Sequence, residues 1–78
     1  MGRIRVLIAE DSALMRQYLR DILGSDPDLE VVGAARDGRE AVEKACTLRP
    51  DVVTMDINMP VMDGLTALQY IMARCPCP

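Results

Sequence analysis

Three short apolar runs constrain this chain more than any other feature: RIRVLIA at 3–9, LEVVGAA at 29–35 and DVVTM at 51–55. They are rich in β-branched residues and flanked by acids or turn formers, so all three read as strands. Between them the spacing becomes helical. In SALMRQYLRDILG (12–24), Leu14, Met15, Tyr18, Leu19, Ile22 and Leu23 form one stripe, with Ser12 suited to the N-cap and Gly24 to the C-terminal cap. DGREAVEKACTL (37–48) opens on Asp37 with Glu40 at capping-box spacing, turns Ala41, Val42, Ala45 and Leu48 inward, and closes at Pro50. GLTALQYIMA (64–73) is the third helix, capped by Asp63, with Leu65, Leu68, Ile71 and Met72 expected inward. The order is βαβαβα. Strands joined by such helices lie parallel, and right-handed crossovers build an open, doubly wound α/β sheet.

Composition narrows the class. The 78 residues allow one small domain, and 50% hydrophobic with 27% charged residues is globular. Tyr18 and Tyr70 are the only aromatics, so the core must be aliphatic. A net charge of −3 without a basic stripe argues against nucleic acid. VLIA before Glu10 is too short for a signal-peptide core, no run is long enough to span a membrane, and Val6 breaks a myristoylation pattern. The expectation is a cytoplasmic protein. Three cysteines, Cys46, Cys75 and Cys77, are an odd number and fit reduced thiols; the terminal CPCP reads as a loop rather than a metal pair.

In doubly wound sheets, polar sites gather beyond the carboxyl ends of the strands, where the strand order reverses. The first strand runs into Glu10 and Asp11, the third into Asp56. If the second and third strands flank the first, these acids converge. Each alone would pass as an ordinary strand-end or cap residue. Crowded together they repel, and a hard divalent ion such as Mg²⁺ is their natural partner. A carboxylate beside such a metal can itself accept a phosphoryl group, and Asp56, on the end of a buried strand, is the best placed. Lys44, inside the second helix, reads as a solvated surface charge.

VLIAEDSALMR and DVVTMDINMPVMDG resemble the response-regulator receiver family of two-component signalling. The resemblance implies a flavodoxin-like sheet of order 2-1-3-4-5, of which this chain would hold 2-1-3. It implies that Asp56 is the phospho-acceptor, that Glu10 and Asp11 hold Mg²⁺, and that the backbone carbonyl of Asn58 adds a ligand. Glu10 stands where the family more often has Asp. Further, EDSALMRQYL and MDGLTALQYIM are similar to the receivers of chemotaxis protein-glutamate methylesterases. Implied partners are a histidine kinase as phosphodonor and an attached or separate output such as a methylesterase domain.

By this resemblance, residues 1–78 are the N-terminal three-fifths of a receiver, with the fourth and fifth strand-helix units missing. The Ser or Thr and the Lys that those units carry in the family would be absent, and DVVTM would offer an unpaired edge for self-association. With no histidine, the chain cannot assemble a Ser-His-Asp triad. Two alternatives remain. One is a haloacid-dehalogenase-like phosphatase with an Asp nucleophile, although Asn58 stands where that class wants its general acid. The other is an inactive receiver fragment acting only through protein contacts.

Overall fold

The computed structural model describes residues 2–56, 59 and 61–75. Six elements follow in order: β1 (Ile4–Ala9), α1 (Ala13–Gly24), β2 (Leu29–Ala35), α2 (Gly38–Leu48), β3 (Val52–Met55) and α3 (Gly64–Arg74). The strands form one parallel sheet in the order β2-β1-β3, as the strand-helix alternation requires. Pairing of β1 with β2 runs from Ile4 opposite Leu29 to Ala9 opposite Ala35 and skips Val32, a one-residue irregularity. β1 is the central strand and the most deeply buried, with Leu7 and Ile8 fully enclosed. β3 is an edge strand among the described residues.

Side-chain caps start each helix. Ser12, Asp37 and Asp63 accept from the N–H groups of Met15, Glu40 and Thr66, at 3.2, 2.8 and 2.8 Å. Glu40 does not close the reciprocal half of a capping box. Its carboxylate accepts from the N–H of Arg36, one residue before the cap, and pairs with the Arg36 and Lys44 side chains. At the other end of α1, Gly24 is the last helical residue and Ser25 takes the cap position.

The main core lies where α2 and α3 cover one face of the sheet: Leu7, Val42, Ala45, Ala67 and Ile71 cluster there. Ala9, Ala35, Ala41 and Met59 form a second cluster nearer the strand ends. The expected inner face of α3 is largely corrected. Ile71 is buried, but Leu65, Leu68 and Met72 are exposed, and Gly64 and Ala67 point inward instead. Small side chains let the two helices approach on a narrow sheet, so Ala45 of α2 clusters with Ala67 of α3 while Leu65, Leu68 and Met72 stay outside. The stripe on α1 forms as expected, yet none of its residues is fully buried; Leu19 and Leu23 are half-buried, while Leu14 and Tyr18 are exposed.

The cysteine expectation is also corrected. Cys46 on α2 and Cys75 at the end of α3 are joined in a disulfide, because the packing of these helices brings their Cα atoms to 5.3 Å. Cys77 and the rest of the CPCP loop beyond Cys75 lie outside the described residues.

Gly38, the first residue of α2, supports a sharp test. Alanine in place of glycine ordinarily stabilises a helix by roughly 0.5–1 kcal/mol. Here a Cβ would run into the backbone carbonyl of Met62, in the segment leading to α3. Gly38→Ala should therefore destabilise the fold, by about 1–3 kcal/mol, in urea unfolding. A gain in stability would show that the Met62 segment yields without cost.

Candidate functional site

The sheet's hydrogen-bond ladder continues one residue past two of its strands, and an acid sits at each extension. The N–H of Glu10 donates to the carbonyl of Ala35 at 2.9 Å, and the N–H of Asp56 donates to that of Ala9 at 3.0 Å. Both backbones are thus fixed by a buried parallel sheet before their side chains begin. The turn after β1 is held from above by α1. Arg16 Nη1 donates to the carbonyls of Glu10 and Asp11, at 2.7 and 3.0 Å. The Ser12 N–H also reaches Glu10 Oε1 at 3.3 Å.

Carboxylate oxygens of Glu10, Asp11 and Asp56 consequently lie within 4.8 Å of one another. Glu10 and Asp56 are half-buried and Asp11 is exposed. Beside them opens a cleft of about 490 Å³, lined among others by Glu10, Ser12, Met15, Thr54 and Asp56. Burial is the main reason the Glu10 carboxyl is held above its ordinary value. A hydrogen bond shared with the Asp11 side chain and the charges of Asp56 and Asp11 push the same way, against the favourable Ser12 N–H. Three carboxylates that offer hard oxygen ligands within 4.8 Å of one another are a donor set that suits Mg²⁺.

The structure therefore brings together the three acids that the sequence singles out. The Asn58 carbonyl lies outside the described residues. Asp63 stays apart as the cap of α3, and the Thr66 N–H holds its carboxyl below the ordinary value. The reading of Lys44 as a solvated charge is corrected: its ammonium donates to the carbonyl of Ala34, near the end of β2, and pairs with Glu40 at 3.4 Å. Arg16 went unnoticed in the sequence. Its signal was its place one turn into the helix that follows two acids, where a guanidinium reaches back over the loop.

Comparison with known proteins places this geometry among relatives. The family model described as "Response regulator receiver domain" matches residues 6–77. Protein-glutamate methylesterase/protein-glutamine glutaminase 2 of Carboxydothermus hydrogenoformans is 69% identical over 78 residues, covering 100% of this chain and 22% of that protein. The Pyrococcus horikoshii protein-glutamate methylesterase/protein-glutamine glutaminase is 60% identical, again over 100% of this chain and 22% of its own length. The chain thus spans about a fifth of the curated relatives it matches. The crystal structure of the response regulator domain of Thermotoga maritima CheB superposes with a TM-score of 0.95 at 57% identity, over 96% of this chain and 56% of that one. The CheX–CheY–BeF3–Mg²⁺ complex from Borrelia burgdorferi matches with a TM-score of 0.83 at 39% identity, over 92% of this chain and 55% of that one.

The raised Glu10 carboxyl fixes the sign of a pH effect. The metal-free fold prefers Glu10 protonated, so the associated stability is fully present below its ordinary value of 4.5 and is lost as pH rises through the higher folded value. Glu10→Gln should then melt higher than the parent at neutral pH in EDTA, with the gap closing on acidification. Excess Mg²⁺ should reverse the order, because the parent binds the ion better. Melting curves of both proteins with and without the metal provide the measurement. A gap independent of pH and metal would place Glu10 outside any shared site.

Proposed function

Because the chain belongs to the response-regulator receiver family, we propose that it works as a phospho-acceptor switch in which Asp56 receives a phosphoryl group from a histidine kinase. The observation that carries this reading is the convergence of the Glu10, Asp11 and Asp56 carboxylates on one cleft at the strand ends. An Asp56 oxygen attacks the phosphorus of a phosphohistidine. The P–N bond breaks, its electron pair staying on the departing imidazole nitrogen, which takes a proton from solvent, and an acyl phosphate remains on Asp56. Glu10, Asp11 and Asp56, with the carbonyl of Asn58, would hold the Mg²⁺ that, when bound, offsets the negative charge of the transferring group. Arg16 serves by fixing the loop that carries the first two acids, so that their side chains need little reorganisation when the ion enters. The Mg²⁺ and BeF3 of the Borrelia complex support this reading of the site.

Coverage of 56% of the Thermotoga receiver supports taking residues 1–78 as the N-terminal part of such a domain. The relatives' names support an output that is a protein-glutamate methylesterase, and hence a cytoplasmic role in chemotaxis. The exposed edge of β3 supports self-association with a second copy in parallel or antiparallel pairing.

Two measurements test these proposals. Incubation with Mg²⁺ and acetyl phosphate should add one hydroxylamine-sensitive phosphoryl group, visible by intact mass, weakly in residues 1–78 alone and fully in a receiver carrying the two further strand-helix units, and Asp56→Asn should abolish it in both. Equal incorporation in parent and variant, or continuous phosphate release in place of a single stoichiometric step, would move the chemistry elsewhere. Sedimentation of the chain should reveal concentration-dependent dimers that Val53→Lys, on β3, disperses; a strict monomer at all concentrations would remove β3 as a pairing edge.

A further inference from the structure

The disulfide between Cys46 and Cys75 joins residues 29 apart in sequence and involves none of the three clustered acids. Cys46 belongs to the last turns of α2. Cys75 is the C-cap of α3, its N–H donating to the carbonyl of Ile71 at 2.8 Å. The bridge therefore ties the end of one helix to the end of its neighbour at the margin of the main core. That tie matters because α3 is weakly held otherwise. Its buried contacts are Gly64, Ala67 and Ile71, and two of these three bring almost no apolar area. Burial of the two residues is unequal: Cys75 is 6% exposed, whereas Cys46 is only partly buried. A bridge with one half-buried partner is better placed for exchange than one enclosed on both sides.

We infer that Cys46 and Cys75 are a redox modification site, a dithiol pair that a small disulfide such as glutathione disulfide converts reversibly into a staple between α2 and α3. The Cys46 thiolate attacks one sulfur of the oxidant, breaking its S–S bond and releasing one thiolate. The Cys75 thiolate then attacks Cys46 Sγ, displacing the second oxidant thiolate and closing the protein bridge. Both protein sulfurs are oxidised, one glutathione disulfide becomes two glutathione thiols, and the two protons leave with them. The reverse exchange begins at Cys46 Sγ and frees α3 to rest on its small packing face alone.

The test is a series of glutathione buffers from reducing to oxidising, followed by alkylation and peptide mapping of the whole chain. The expected result is a linked Cys46–Cys75 peptide that grows with the oxidised fraction, disappears on return to reducing buffer, and leaves Cys77 alkylated. Reduction should lower the melting temperature by on the order of 10 °C. Cys46→Ala should lose that response to reductant and Cys77→Ala should keep it. Linked peptides that contain Cys77, or no bridge at any buffer ratio, would overturn the assignment. A melting temperature indifferent to reductant would overturn the role of the staple. If Cys46→Ala does not fold, the peptide map of the parent chain decides alone.

Discussion

Everything functional in this molecule depends on the parallel ladder around β1. A side chain at the tip of a loop can wander, but Glu10 and Asp56 begin from backbone groups that are still paired with the sheet, through Ala35 and Ala9. The buried centre, with Leu7 and Ile8 enclosed, therefore sets where the carboxylates stand to within the tolerance of a hydrogen bond. Burial of Glu10, with the charges of Asp56 and Asp11 beside it, persists as a bias of that one carboxyl toward protonation or toward a cation. Stability given up at the strand ends in this way is available as affinity for whatever neutralises them.

A second constraint is width. A three-stranded sheet offers little surface for two helices side by side, and small residues among the buried positions of α2 and α3 (Gly38, Ala41, Ala45, Gly64 and Ala67) let them fit. The first residue of α2, Gly38, thus comes to lie against the carbonyl of Met62, just before α3, and the start of one helix leans on the approach to the next.

Much of this was legible beforehand, for identifiable reasons. Strand and helix order follow from a change of hydrophobic period, and the three caps from Ser12, Asp37 and Asp63 at the right offsets. The meeting of Glu10, Asp11 and Asp56 follows from topology, since parallel strands put all their carboxyl ends on one edge. Which way α3 faces was not legible. Its apolar residues cover two faces, and only the closeness of α2 selects Gly64 and Ala67 over Leu65 and Leu68. Lys44 and Cys46 were misread because their partners lie 10 and 29 residues away, where local pattern carries no information, whereas Arg16 was missed although its carbonyls are only five and six residues back.

The caps of α2 and α3 carry one more consequence, for how the protein ages. Both helices open on an Asp-Gly pair, Asp37-Gly38 and Asp63-Gly64, a dipeptide prone to close into a succinimide and reopen as isoaspartate. Ring closure needs the aspartate carboxyl carbon to meet the nitrogen of a glycine free to swing toward it. Here each carboxylate already accepts from the N–H three residues on, and each glycine is buried at the start of a helix. The bonds that begin the helices thus also guard their most fragile peptide links, and chemical damage at these positions becomes a clock that runs only while the chain is unfolded.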